Sequence, residues 1–589
     1  MKFSVLALDY DGTIARHDTL EPSVREAIAE LRTQGITVML VTGRIVADLR
    51  RVAGDLHFVD AVIGENGAVL EFPGSGYSTV LGQPPPPELL DALQREGIEF
   101  RAGRVVVEAS ADDASRILAI VRRLELPLVL LFNRGRVMLL PQAVSKATGL
   151  RHALTILRLS PHNAVAIGDA ENDHELLQAC EVGVAVAWGS TTLRRAADYV
   201  LEGAGPPAVA GYIRDLARRR RVPAPSKTRR QLLIGHTDDG RPMALAVRGR
   251  SVLVAGDTKS GKSWIAGLLC EQLILYGYCL CILDPEGDYL SLEALPGVVV
   301  FGGPDPLPRP RDLLRALRHA DTSVVIDLSQ VSHEAKVDYM RSALPALATL
   351  RHHMGLPHRI VVDEAHYFLH DADVLSLLDL ESSGYTLVTY RASKLHPDIL
   401  SANEAIVVTC ESDPREVAAL AALCRSRDTM PAEDWTRLLG GLALGEAVVL
   451  PITEEAAGKA RKIRLAPRLT PHVRHLAKYI DIPVARGRAF VFTRNGSQPG
   501  PRAHTLREFV GIVERTSVEA LDGHLRRGDF SRWIADVFGD YPLAQELRRL
   551  EGKYQTGTLA EVAASLGLAV RARYEFVEPV PVRGPEKRG

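Results

Sequence analysis

The stretch Gly256-Asp-Thr-Lys-Ser-Gly261-Lys262-Ser263 decides how the middle of this chain folds. An apolar run, Ser251-Val-Leu-Val-Ala255, precedes it, and a helix-like run, Trp264-Ile-Ala-Gly-Leu-Leu-Cys-Glu-Gln-Leu273, follows it. Strand, glycine-bounded loop, Lys-Ser and helix make up the context of a phosphate-binding loop. Main-chain N–H groups and the helix N-terminus of such a loop hold a polyphosphate. On this reading Gly256, Ser260 and Gly261 shape the cradle, Lys262 meets the outer phosphates, and the Ser263 hydroxyl ligates Mg²⁺. The eight-residue pattern alone also fits an ordinary surface turn; the strand before it and the helix after it favour nucleotide binding.

Outward from the loop, residues 231–468 alternate strand-like and helix-like segments. The apolar runs at 251–255, 279–283, 323–327, 359–363, 386–389, 405–408 and 447–450 read as strands. The expected architecture is a parallel α/β sheet with helices on both faces. The segment Ile360-Val-Val-Asp363-Glu364-Ala-His366 supplies the second half of an NTPase site. Asp363 is placed to hold Mg²⁺ through water, and Glu364 to polarise the hydrolytic water.

Whole-chain quantities bound the remaining possibilities. At 589 residues the chain suggests about three or four domains, each able to bury its own core. Apolar content of 46% and charged content of 24% are those of soluble globular proteins. A net charge of −1 gives no chain-wide basic field to draw in nucleic acid or membrane. Six scattered cysteines read as thiols in a reducing, cytoplasmic compartment, and Cys279-x-Cys281 as buried structural thiols. The N-terminus reaches Asp9 too soon for a signal segment, and no apolar run approaches the ~18 residues a bilayer span needs.

A second phosphate chemistry lies ahead of the loop, in residues 1–215. Phe3-Ser-Val-Leu-Ala-Leu8 reads as a buried strand ending in Asp9-Tyr-Asp11-Gly-Thr13. Two carboxylates alone fit a polar turn. Three later signals change that: Thr42-Gly43-Arg44 after Val38–Val41, Lys146 opening a helical run, and Gly168-Asp169-Ala-Glu-Asn172-Asp173 after Ala164–Ile167. In a parallel sheet the C-terminal strand ends share one edge, so these groups meet in one crevice. There Asp9 can attack phosphorus, while Asp11 protonates the leaving oxygen and later deprotonates water. Thr42 and Lys146 supply a hydroxyl and a cation to the phosphoryl oxygens. So many anions need a hard cation, placing Mg²⁺ between Asp9, the Asp11 carbonyl and Asp169. Asp173, grouped with these metal-site carboxylates, and Asn172 orient Lys146 or a metal-bound water.

These four motifs, in order, resemble the haloacid-dehalogenase superfamily of phosphatases, in its Cof-like branch. Ile63-Gly-Glu-Asn66-Gly67-Ala68 resembles the Asn-Gly-Ala turn of that branch. The resemblance implies a Rossmann-like core with a small α+β cap, here about residues 80–142 after Pro84–Pro87. Within it, 104–108 and 128–132 read as strands around a helix at 114–124. So short a cap favours small phosphorylated metabolites such as phosphoglycolate or sugar phosphates.

The middle domain resembles the HerA/FtsK branch of DNA-pumping ATPases, a RecA-like P-loop NTPase fold. The resemblance rests on the loop, on Leu283-Asp-Pro-Glu286-Gly-Asp-Tyr289 and on Val361-Val-Asp-Glu-Ala-His366. Tyr390 stands where that branch carries a sensor Gln, Ala392 where it carries Pro, and Lys259 where a Gly is common. The resemblance implies ATP as ligand and a homo-oligomeric ring.

Residues 216–230, rich in Arg and Pro, read as a solvated linker or a nucleic-acid phosphate contact. Residues 469–575 read as a small, mainly helical domain of unknown role, and 576–589 as a disordered tail. In that domain Phe530 and Trp533 have the spacing of core residues, and His524, Asp529 and Asp540 read as caps or surface groups.

The leading reading is an Mg²⁺-dependent phosphatase fused to an ATP-binding and ATP-hydrolysing domain. Its alternatives are a DNA translocase with a phosphatase for nucleotides or nucleic-acid ends, and an ATP-binding regulatory scaffold. DNA-stimulated ATP turnover with a steep salt dependence marks the translocase.

Overall fold

The computed structural model describes all residues except 1, 134, 220–228, 248–250, 371–375, 381–382, 425–430, 451–459, 471–483, 485, 495–497, 539–540, 560 and 575–589. The chain divides into two compact units, Met1–Pro285 with Tyr289–Pro471, and Glu286–Asp288 with His472–Gly589.

The first unit is built on two large sheets. The N-terminal sheet runs Tyr199–Leu201, Val182–Val186, Ala164–Gly168, Val5–Leu8, Thr37–Val41, Ala61–Gly64, Val69–Phe72 and Tyr77–Val80. Its strands are parallel through Ala61–Gly64, and the final two return antiparallel. Val5–Leu8 is buried throughout because both faces are covered, as its unbroken apolar run requires. Leu6, Leu8, Val38 and Leu40 face a core shared with the helices Pro22–Thr33 and Pro206–Arg219. Val5, Ala7, Met39 and Val41 face the opposite core, under Lys146–Leu157 and His174–Ala179.

A smaller antiparallel sheet follows Pro84–Pro87, in the order Leu128–Asn133, Arg136–Pro141, Val107–Ser110, Phe100–Ala102. It packs on the helices Pro87–Arg95 and Ala114–Arg123. The expected strand at 104–108 begins only at Val107, because the amides of Arg104, Val105 and Val106 donate to the Glu65 carboxylate at 2.9, 2.8 and 3.1 Å.

The second sheet corrects the expectation of a purely parallel arrangement. Its parallel part runs Ala405–Val408, Val252–Ala255, Tyr385–Thr389, Arg359–Val362, Leu280–Asp284, Ser323–Asp327, Val298–Gly302. Beyond Ala405–Val408 it continues antiparallel through Glu446–Leu450, Arg461–Leu465, Gln231–His236 and Pro242–Ala246. The Thr237-to-Arg241 turn joins the last two as a hairpin, a connection only antiparallel strands allow. Cys279 and Cys281 are buried in one core with their thiol pKa values pushed up by burial, which fits inert thiols.

The start of the expected linker is helix, since Pro206–Arg219 runs into it, and 220–228 lies outside the described residues. Arg229 and Arg230 are committed within the unit: Arg229 Nε donates to Asp198 Oδ1 at 2.5 Å, and Arg230 Nη1 to Glu181 Oε2 at 3.2 Å. Glu181 Oε2 also accepts from Tyr278 Oη at 2.9 Å and lies 3.0 Å from His162 Nδ1, whose ring stacks on Tyr278 at 3.7 Å. A buried polar junction thus ties the N-terminal sheet region to the second sheet.

The second unit pairs Phe490–Arg494 with Gln498–Ala503 and surrounds them with helices. Phe530 and Trp533 lie in its aromatic core with Phe490 and Phe509. His524 is no surface group: it is buried, its Nδ1 lies 2.8 Å from Asp529 Oδ2, and its Nε2 accepts from the Thr493 amide at 3.0 Å. With Nε2 accepting, Nδ1 carries the proton and donates to Asp529. Asp540 and the tail at 576–589 lie outside the described residues.

Candidate functional site

Val5–Leu8 lies between Thr37–Val41 and Ala164–Gly168, so Asp9, Thr42 and Asp169 leave the same sheet edge from adjacent strands. Lys146 reaches this edge from the first position of its helix, which Ser145 and Thr148 open with a capping box. Its Nζ donates to Asp9 Oδ1 and to Asp173 Oδ1, each at 2.6 Å. Thr13 Oγ1 donates to Asp9 Oδ2 at 3.2 Å. Asp173 Oδ2 accepts the amides of Asp169 and Ala170 at 3.0 and 3.1 Å, so that carboxylate pins both Lys146 and the loop carrying Asp169.

Burial drives the Asp9 pKa well above the ordinary carboxylate range; Asp173 adds to the rise, and Lys146 works against it. Burial alone would lower the Lys146 pKa, but the fields of Asp173 and then Asp9 hold it above the usual lysine value. Asp9, Asp169 and Asp173 each offer an oxygen, all within 4.8 Å of one another. Three buried carboxylates face one ammonium, a donor set that fits a hard, oxygen-ligated divalent cation.

Asp11 and Thr42 are placed differently. Thr42 is fully buried and its Oγ1 accepts the Arg44 amide at 3.1 Å. Both Asp11 oxygens accept from Arg44, Oδ2 from Nε at 2.7 Å and Oδ1 from Nη2 at 2.6 Å. Asn172 donates to Asn66 Oδ1 at 3.3 Å, and Met138 of the small sheet stands 3.4 Å from where a side chain on Gly43 would begin. Arg44, Asp48, Thr13 and Glu65 have parts in this site that their sequence context does not announce. Thr42-Gly43-Arg44 marks Arg44 as a motif residue, but its carboxylate partners at 11 and 18 are set by the fold.

On the second sheet, Gly256 opens the loop with φ 144°, and a Cβ there would collide with Thr409 Oγ1. Gly261, φ 106°, caps the helix Lys262–Leu275, of which Ser263 is the second residue. Lys262 Nζ donates to the Asp257 carbonyl at 2.7 Å and lies 5.9 Å from the Tyr390 ring centre. Ser260 Oγ bonds the Asp257 carbonyl at 2.7 Å and Thr409 Oγ1. Tyr390 meets the His366 ring edge-on at 4.3 Å, and His366 Nδ1 lies 3.1 Å from Thr389 Oγ1. Burial and nearby cations lower the His366 pKa to about 3, so the imidazole is neutral. Asp363 Oδ1 accepts the Glu364 amide at 2.8 Å, and Glu364 is held in the left-handed region with φ 47°. One strand, Tyr385–Thr389, separates the Asp363 strand from the loop strand, and its end bridges the two through Tyr390.

The first sheet with its acidic crevice defines a Rossmann-like domain with the carboxylates and ammonium of a phosphatase site, followed by a P-loop domain. The chain belongs to the haloacid dehalogenase-like hydrolases, whose family pattern matches residues 6–79 and 89–213. The pattern of the helicase HerA central domain matches residues 234–361. A phosphoglycolate phosphatase of Methanoculleus marisnigri is 32% identical over 214 residues, 33% of this chain and 89% of that protein. One of Methanopyrus kandleri is 30% identical over 230 residues, 36% of this chain and 97% of that protein. Among solved structures, a haloacid dehalogenase-like hydrolase from Bacteroides thetaiotaomicron aligns over its full length with 36% of this chain, at 19% identity and TM-score 0.32. Among the described residues no helix is long and apolar enough to cross a membrane.

Proposed function

We propose that the N-terminal domain is a phosphomonoesterase for a small phosphorylated metabolite, with phosphoglycolate the first candidate, and that the P-loop domain binds and hydrolyses ATP. The observation that carries the first half is the buried Asp9 carboxylate, bonded to Lys146 and Thr13 beside Asp169 and Asp173.

In this reading an Asp9 oxygen attacks phosphorus as the bond from phosphorus to the substrate oxygen breaks, and Asp11 gives its proton to that leaving oxygen. The aspartyl-phosphate is then attacked by water, Asp11 takes the water's proton, and the bond from Asp9 to phosphorus breaks to release inorganic phosphate. Lys146 and the Thr42 hydroxyl hold the phosphoryl oxygens as charge develops. Asp9, the Asp11 carbonyl and Asp169 would hold Mg²⁺, which would neutralise charge between the carboxylates and the phosphate. Asp173 acts by fixing Lys146 and the Asp169 loop. The names of the relatives and the small size of the capping sheet support phosphoglycolate.

In the P-loop domain Gly256, Ser260, Gly261 and Lys262 would cradle ATP, Ser263 and, through water, Asp363 would hold its Mg²⁺, and Glu364 would polarise the hydrolytic water. The match to the HerA central domain supports this and favours, as a second reading, ATP turnover stimulated by DNA. A screen of small phosphomonoesters with and without ATP and DNA tests both halves. Mg²⁺-dependent phosphate release lost in Asp9→Asn is expected. Release that persists in that variant removes Asp9 as nucleophile, and ATP turnover indifferent to DNA removes the second reading.

A further inference from the structure

Arg44 holds three carboxylates, those of Asp11, Asp18 and Asp48. Besides its two bonds to Asp11, its Nη1 donates to Asp48 Oδ2 at 3.0 Å and its Nη2 to Asp18, and the guanidinium carbon lies 5.6 Å from the Tyr10 ring centre. Its side chain is 17% exposed, whereas Asp11 is 36% exposed, on a loop that turns at Gly12 with φ 77°. With three carboxylates around one guanidinium, Arg44 has no surplus charge to offer a substrate anion. It has geometry to offer instead. Two parallel N–H···O bonds fix both the place and the plane of a carboxylate, which a single ammonium cannot do. Asp48, the far anchor, is itself held by Arg51 at 2.7 Å and lies 4.0 Å from Arg101 of the small sheet.

We propose that Arg44 is a positioning residue that sets the Asp11 carboxyl for proton exchange, first with the leaving oxygen and then with the attacking water. This rests on the phosphatase reading above. A residue that only braces the loop would affect every substrate alike. In the step that expels the leaving group, a residue that positions the proton donor matters only where that group needs a proton; the later attack of water is common to both substrates. Phosphoglycolate leaves as an alkoxide and needs one; p-nitrophenyl phosphate leaves as a stabilised phenolate and does not.

The test measures the single-turnover rate of leaving-group release for both substrates in wild type, Arg44→Ala, Arg44→Lys, Asp11→Asn and the Asp11→Asn/Arg44→Ala double variant of the full chain. Arg44→Ala is expected to lose about 100-fold on phosphoglycolate, the lower range for a general acid, and less than about 3-fold on p-nitrophenyl phosphate. The alkyl-selective loss should vanish in the Asp11→Asn background. Should Arg44→Ala not fold, Arg44→Lys, which keeps the charge without the fork, is read for the same selectivity with about a 10-fold loss. Equal losses on both substrates, or an undiminished Arg44 effect without Asp11, overturn the assignment while leaving the phosphatase intact. Wild-type protein inactive on both substrates overturns the phosphatase reading and this assignment with it.

Discussion

Replacing Lys146 with Ala removes the one ammonium between two buried carboxylates. Lys146 is 1% exposed, and its Nζ is 2.6 Å from both Asp9 and Asp173. Breaking a buried ion pair from one side costs about 3–5 kcal/mol, because the partner charge is left uncompensated. Two partners are left here, but Asp9 is already biased toward protonation by burial, which relieves part of the excess. We therefore expect about 3–5 kcal/mol in total, or roughly 6–20 °C in the melting of a domain of this size. The variant also leaves three carboxylates with no cation, so Mg²⁺ should raise its melting temperature more than it raises that of wild type. Phosphatase kcat should fall by at least about 100-fold through loss of the phosphoryl-oxygen contact. Calorimetry of both proteins with and without Mg²⁺, alongside phosphate release, reads all three effects. A shift below about 1 kcal/mol, or an identical Mg²⁺ effect in the two proteins, would refute the view that Lys146 neutralises this cluster.

The P-loop makes two predictions: Lys262→Ala should abolish ATP binding in titration calorimetry, and an unchanged affinity would exclude the loop as its site. Gly256→Ala should weaken ATP at least about 10-fold, since a Cβ meets Thr409 Oγ1 and the backbone conformation is one a side chain resists; wild-type affinity would show that the loop does not keep this shape. Glu411, 1% exposed, has its carboxyl pushed up to about 8, chiefly by burial and also by Asp257. With its folded pKa above the ordinary 4.5, the folded chain binds a proton that the unfolded chain releases, so stability falls as pH rises between those values. Glu411→Gln should flatten that slope and stabilise the protein by about 1–2 kcal/mol at pH 8 after solvent screening. An unchanged melting profile between pH 5 and pH 8 would contradict this.

The crevice was legible because it uses strand ends. Three short apolar runs each stop at a polar group, and parallel pairing brings such ends together whatever the details of packing, while Lys146 opens the helix that reaches the same edge. The P-loop was legible for a related reason, its glycines and Lys-Ser being fixed by backbone geometry. Long-range partnerships were not legible. Arg44 meets Asp11 and Asp18 only after folding, and Glu65 takes the amides of 104–106 from a segment whose composition reads as strand. The antiparallel end of the second sheet was not legible because Gln231–His236 and Arg461–Leu465 mix polar with apolar residues, as antiparallel strands with one solvent-facing side permit. The burial of His524 depends on Asp529 and Thr493, contacts that no local spacing announces.

The central claim is that Asp9 forms a bond to phosphorus. Full-length protein is mixed with labelled substrate and Mg²⁺, quenched in acid within one turnover, digested and mapped by mass spectrometry. A hydroxylamine-labile phosphoryl group is expected on the peptide carrying Asp9, absent from Asp9→Asn. Turnover of the same substrate with no label on that peptide at any quench time would contradict it.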